Sequence, residues 1–313
     1  MSLNHPIEIV DLKKEYKGFT AVEDLTLNVE KNSFTGFLGP NGAGKSTTLK
    51  ILTHLINATS GSAFLNGSDV TTESKTALIG VGTVVETPEF YPFMTPKEMF
   101  SYTGELFGMT RESISSETEE ILSAVKMTEW GDKKIGTFSK GMRQRISLGL
   151  SLMNDPNIII LDEPTSGLDP RGMAETREIL KDIRRRSSNL TILMSSHMLH
   201  EVTDLCDRVA LINHGEILVH DRIEVVTGSN KMRRINLKIV GGPTQNAVKD
   251  ISGLDNVKDV VITGNILEVD FSGGDADQLR FFKDVGALNL GVYDLYETDA
   301  LESVYLSMIE ETR

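Results

Sequence analysis

One cysteine, one tryptophan and nine prolines stand in 313 residues. The single thiol, Cys206, excludes an internal disulfide and fits a reducing compartment. Within LCDRVALI (205–212) it reads as a buried structural thiol. No apolar stretch approaches the ~18 residues of a membrane span, and no secretory leader is read at the start. If the chain serves a membrane process, another chain must supply the membrane. Basic charge is scarce as well: 32 Lys and Arg face 45 Asp and Glu, a formal net charge of −13. The excess is acidic on both sides of Lys231. That argues against nucleic acid as a partner and against electrostatic adsorption to anionic lipid. Repeats and low-complexity segments are also lacking.

What the chain has is punctuated glycine and carboxylate chemistry. GPNGAGKST (39–47) fits G-x-x-x-x-G-K-[ST], a loop that wraps the phosphates of a nucleotide. Gly39, Gly42 and Gly44 let the backbone curl until consecutive N–H groups point inward at oxyanions. Lys45 adds a point charge on the β- and γ-phosphates, and Ser46 offers a hydroxyl to Mg²⁺. A helix starts here, so its positive dipole end faces the phosphates as well. The candidate phosphate contacts are therefore Gly39, Asn41, Gly42, Ala43, Gly44, Lys45, Ser46 and Thr47. IIILDEPTSGLD (158–169) is a buried apolar strand ending in two carboxylates. Asp162 can hold Mg²⁺, and Glu163 can polarise a water aimed at the γ-phosphate.

A third motif, FSKGMRQR (138–145), precedes the acidic strand. The order loop, SKGM, LDEP-T-SGLD resembles the ATP-binding-cassette (ABC) ATPases, over a match from about Asp11 to Gly228. The resemblance implies roles for further residues. Ser139 and Gly141 would contact the ATP held by another subunit, although Lys140 and Met142 replace the family's glycine and glutamine. Asp169 would lie at the same dimer seam. His197, directly after strand TILMSS, matches the histidine that helps position the attacking water. Tyr16 would stack on adenine, and the other five histidines fit no ligand spacing. Glu86 stands where the family carries a metal-ligating glutamine, a variant resembling bacitracin-type exporters.

Apolar–polar alternation over residues 7–37 reads as strands leading to the phosphate loop. Helical periods dominate from about 88 to 155, with Ser116 and Glu119 fitting a capping box. Strand and helix then alternate, which implies parallel strands with crossover helices. INLKIVG, VKDVVIT and ILEVDF read as strands beyond Gly228, with Gly264-Asn265 as a hairpin turn. DADQLRFFKDVGA and ALESVYLSMIEE read as helices, and RRRSS (184–188) as a solvated helix end. The fold class is thus α/β. A P-loop NTPase core with an antiparallel β subdomain and an inserted helical subdomain spans 1–228, and a small α+β domain spans 229–313.

The resemblance implies an ATP-hydrolysing subunit of an ABC transporter, most readily an exporter. It would use ATP and Mg²⁺, pair head to tail with a second ATPase subunit, and drive a separate integral membrane permease. Its place would be the cytoplasmic face of the cell membrane, held there by the permease. Two rivals remain: a soluble ABC ATPase of the cluster-assembly kind, and an ATP-gated regulator without catalysis. Glu163 argues against the second, because such a protein needs no general base. Long coiled-coil relatives are disfavoured, since 116 residues separate Lys45 from Asp162.

Overall fold

The structure is a computed structural model. It describes residues 5–86, 89–187, 189–227 and 232–298, and parts of 301–308. The described chain runs β1 (Ile7–Tyr16), β2 (Phe19–Val29), β3 (Phe34–Leu38), α1 (Lys45–Leu52), β4 (Ser60–Leu65), β5 (Ser68–Asp69), α2 (Ser74–Ala77) and β6 (Val81–Val84). Next come α3 (Pro96–Leu106), α4 (Arg111–Ala124), α5 (Lys140–Ser151), β7 (Ile158–Asp162), α6 (Pro170–Arg186), β8 (Thr191–Ser196), α7 (Leu199–Leu205), β9 (Arg208–Asn213) and β10 (Glu216–Arg222). After α8 (Ile223–Val226) follow β11 (Met232–Ile239), α9 (Gln245–Ser252), β12 (Val257–Thr263), β13 (Ile266–Ser272), α10 (Asp275–Ala287) and β14 (Val292–Thr298).

The central sheet has the order β10-β9-β3-β8-β7-β6, with parallel pairing from β9 through β6. A parallel sheet must be covered on both faces, and the period of two along each strand achieves this. On β7, Ile158 and Ile160 point to one core, which Leu49, Ile51 and Leu52 of α1 help to fill. Ile159 and Leu161 point to the other, shared with Phe100, Ile121, Ile146 and Ile179 from the helices. A second sheet, β2-β1-β4-β5, is antiparallel and closes the α1 side. Close packing sets one glycine: a Cβ on Gly82 of β6 would lie 1.8 Å from the Ser151 carbonyl at the end of α5.

The fold class follows the expectation, and two local readings change. Helix α4 starts at Arg111 with Thr110 as N-cap, its hydroxyl accepting from Ser113 N at 3.2 Å, so Ser116 lies mid-helix. The buried residues Ile114, Thr118, Ile121 and Leu122 form one stripe, and that stripe requires a helix already running at 114. A capping box does occur, in α3, where Thr95 and Glu98 bond reciprocally with Pro96 at the first helical position. The RRRSS segment is not wholly solvated: Arg184 donates to the Asn32 carbonyl and pairs with Asp207 at 3.1 Å, locking the end of α6 to the sheet.

The chain divides into two compact units, Met1–Asp221 and Arg222–Arg313. The boundary expected at Gly228 lies outside the described residues, as does most of the helix expected over 300–311. The second unit is an antiparallel sheet, β12-β13-β11-β14. Ile235, Leu237, Val269 and Phe271 of this sheet share a core with Ile251, Phe281 and Val285 of α9 and α10. Strand β14 and helix α9 carry no motif that the sequence reading picked up. Since each unit has its own core, a chain ending at Thr227 should unfold cooperatively. It should bind a fluorescent ATP analogue within about threefold of the full chain. Calorimetry and titration check this; a chain without a thermal transition would mean that the first unit does not fold alone.

Candidate functional site

Strands β3, β7 and β8 end at the same edge of the sheet, because they run parallel and in register: Leu38 sits beside Ser196, and Asp162 beside Ser195. The loops leaving these ends therefore converge, as ligand-binding loops do in open α/β sheets. From β3 comes the 39–44 loop. Gly44 opens α1 with φ 104°, and a Cβ there would lie 2.5 Å from the Ala21 carbonyl. Only glycine meets both demands.

The converging side chains are already bonded to one another. Lys45 is 4% exposed, and its ammonium donates to the carbonyls of Gly39 (2.8 Å) and Pro40 (3.1 Å). It also lies 3.7 Å from Glu163 Oε1. Burial lowers the Lys45 pKa, and the charges of Glu163 and Asp162 oppose that. Ser46 and Ser195 both donate to Asp162 Oδ1, at 3.0 and 2.6 Å. The backbone N–H of Glu163 donates to Ser195 Oγ at 2.9 Å, and Glu163 itself has φ 44°, a strained value for a side-chain-bearing residue. His197 Nδ1 is 3.1 Å from Glu163 Oε1. Lys45, Ser46, Asp162, Glu163 and His197 thus form one constellation from three sequence segments. Ser195 belongs to it and was missed; its only signal was a hydroxyl at the last turn of a strand that precedes a histidine.

Glu86 enters from the loop after β6, with φ 72°, and forms an ion pair with Lys50 of α1. That bond raises the Lys50 pKa. Glu86 also lines a cavity of about 190 Å³ with Ser46, Asp162, Glu163, Lys140 and Ser166. Lys140, read from sequence only as a departure from the family pattern, donates to the Ser166 carbonyl at 2.9 Å and fills the space beside Gly167. Tyr16, at the end of β1, is 47% exposed, with the Lys14 ammonium 5.1 Å above its ring.

The remaining candidates stand apart. Ser139 caps α5, accepting from Met142 N at 3.2 Å, and Asp169 caps α6, accepting from Gly172 N at 3.1 Å. Both line a second cavity of about 350 Å³, together with Gly141, Trp130, Arg145 and Glu175. Ser139 and Gly141 are thus not brought to Lys45 within one chain.

A sequence profile described as ABC transporter matches residues 22–166. The bacitracin transport ATP-binding protein BcrA of Bacillus licheniformis is 37% identical over 212 residues, 68% of this chain and 68% of its own. The chain belongs to the ABC transporter ATP-binding family. A second member, the linearmycin resistance ATP-binding protein LnrL of Bacillus subtilis, is 32% identical over 267 residues, 85% of each chain. A solved ATP-binding subunit of an ABC transporter superposes with a TM-score of 0.64 at 25% identity, covering 71% of this chain and 92% of its own. Lys45 is thus a buried ammonium held by two carbonyls and one carboxylate.

Lys45→Met should lower the melting temperature, because it leaves the buried Gly39 carbonyl and the Glu163 carboxylate without their cation. ATP affinity should fall by about 10- to 100-fold, the worth of a charge-assisted bond of about 1.5–3 kcal/mol. Thermal shift and equilibrium titration read the two separately; unchanged affinity would place the phosphates elsewhere.

Proposed function

We infer that this ABC subunit binds ATP with Mg²⁺, closes head to tail on a second such subunit, and hydrolyses the nucleotide to drive export through a separate membrane chain. The observation that carries this reading is the convergence of Lys45, Ser46, Asp162, Glu163 and His197 at one sheet edge. The split between this site and the Ser139–Asp169 cavity supports the pairing, because the second half-site has no phosphate loop of its own.

Ser46 and Asp162 present hard oxygen donors 3.0 Å apart and fit Mg²⁺, which neutralises charge on the β- and γ-phosphates when bound. Among the described residues no cluster of three His, Cys, Asp or Glu is arranged to hold a metal. Glu163 accepts the proton of the attacking water, and His197 orients that carboxylate. The backbone N–H groups of residues 39–47 cradle the phosphates, and Tyr16 offers its exposed ring to adenine. Ser139, Gly141 and Asp169 complete the site of the opposite subunit.

Export and the membrane partner rest on different support. Members such as BcrA and LnrL are named for bacitracin transport and linearmycin resistance. Among the described residues no helix is long and apolar enough to cross a membrane. Tyr91, Phe93 and Tyr102 form an exposed aromatic cluster, with Tyr91 5.7 and 6.4 Å from the other two ring centroids. A patch of this kind marks a protein contact, and it lies soon after Glu86 in the chain. A membrane chain seated there could bias Glu86 between Lys50 and the metal. On this reading the subunit would act at the inner face of the cell membrane, held there by the membrane chain.

Glu163→Gln should keep ATP binding and lose about 10²–10⁴ in hydrolysis, the range of a general base. The blocked protein should run as a dimer on gel filtration with Mg-ATP; a monomer at saturating ATP contradicts the head-to-tail sandwich. Glu86→Gln should stay active with a weaker Mg²⁺ requirement, because it removes one of three neighbouring carboxylates. Superimposable curves of ATPase rate against Mg²⁺ for wild type, Glu86→Gln and Glu86→Ala would make Glu86 a surface acid.

A further inference from the structure

Behind the reactive edge sits a carboxylate that the chemistry above does not use. Glu201, on the first turn of α7, is 1% exposed. Among the described residues no Lys, Arg or His forms an ion pair with it, and burying a carboxylate without a cation is costly unless hydrogen bonds replace water. Two hydroxyls do so. Thr165 Oγ1 donates to Glu201 Oε1, and Ser196 Oγ donates to Oε2 at 2.9 Å. Both donors are themselves 2% exposed. Ser196 Oγ also accepts from the Met198 backbone N–H at 2.9 Å, which holds the turn that carries His197.

The two donors sit on the two loops whose relative position matters most. Thr165 lies two residues after Glu163, and Ser196 lies immediately before His197. The adjacent Ser195 already ties Asp162 to the Glu163 backbone. Nearest the reacting end, Glu163 and His197 meet in a pair that is open to solvent, with His197 41% exposed. A contact of that kind is weak in water and cannot by itself hold a carboxylate at a fixed distance. The Glu201 bridge lies on the dry side of the same two loops and is over-determined by four hydrogen-bonded atoms.

We propose that Glu201 is a positioning residue: its carboxylate clamps the Thr165 loop to the Ser196–His197 turn, and so sets the Glu163–His197 geometry and the path of the loop that runs on to Asp169. The clamp rests on the reading of Glu163 as general base, and it adds a group that touches neither nucleotide nor water. Ordinary core packing at this position would be served by an apolar residue of similar volume. A carboxylate suits this place because its two oxygens, held at a fixed spacing, accept one bond from each of the two segments, and an amide of the same shape keeps both bonds by donating to one of them.

The test uses the full chain and Mg-ATP. Glu201→Ala should lower kcat by about 10- to 100-fold, as a displacement of reacting groups by about 1 Å does. KM and the affinity for a fluorescent ATP analogue should stay within about twofold, because no phosphate contact is altered. Glu201→Gln should recover most of kcat: its amide oxygen accepts from Ser196, and its NH₂ donates to Thr165 Oγ1. Thr165→Val, which keeps shape and removes one donor, should reproduce part of the Glu201→Ala loss, and it serves as the test if Glu201→Ala does not fold. The clamp is overturned if kcat is unchanged in folded Glu201→Ala or Thr165→Val. It is equally overturned if affinity falls in step with kcat, or if Glu201→Gln is no better than Glu201→Ala. Glu163→Gln assayed alongside keeps the two readings separate: if that variant still hydrolyses ATP, it is the general base that fails, whatever the Glu201 series shows.

Discussion

Everything at the reactive edge depends on a sheet of parallel strands buried on both faces. Parallel pairing sends every strand end in one direction, so the loops after β3, β7 and β8 leave the core within hydrogen-bonding distance of one another. Each of these strands is hydrogen-bonded to its neighbours and closely packed on both faces, which holds its end in place. The spacing between Ser46 and Asp162, which lie 116 positions apart in sequence, is fixed in this way before any ligand arrives.

The charges gathered there satisfy one another without phosphate. Lys45 faces Glu163 and two loop carbonyls, Glu163 faces His197, Asp162 accepts from two serines, and Glu86 pairs with Lys50. In the proposed function, nucleotide binding would exchange these partners: a triphosphate would take Lys45, and Glu163 would turn toward water. Such an exchange costs less than filling a site of bare charges, since no group is left buried and unpaired at either stage.

Much of this could be read from the chain. Phosphate loops demand glycine, lysine and a hydroxyl at fixed offsets, so residues 39–47 declare themselves. An apolar run ending in Asp162-Glu163 does the same once the SKGM motif precedes it. Other features escaped because they are contacts between distant segments. Ser195 looks unremarkable in sequence and Lys140 only departs from a family pattern; the fold shows that one bonds Asp162 and the other the Ser166 carbonyl. The start of α4 was misread because a local S-x-x-E pattern at 116–119 competes with a buried stripe that begins earlier, at Ile114. There the tertiary demand overrides the local signal. Strand β14 follows the turn residues Asn289 and Gly291, but its core-facing Val292 and Leu295 are three apart across an irregularity in the register, which breaks the alternation that a strand pattern needs.

The central claim is that neither subunit holds a whole active site: one supplies Lys45 and Glu163, and the other Ser139 and Gly141. Complementation tests this most directly. Lys45→Ala removes the loop function and Gly141→Asp blocks the opposite half-site, at a position where a Cβ meets nothing within 4 Å and the fold is spared. Each variant alone should be inactive, and mixing the two should restore ATP hydrolysis in the heterodimer, which retains one intact composite site. A mixture no more active than its separate components would contradict the account.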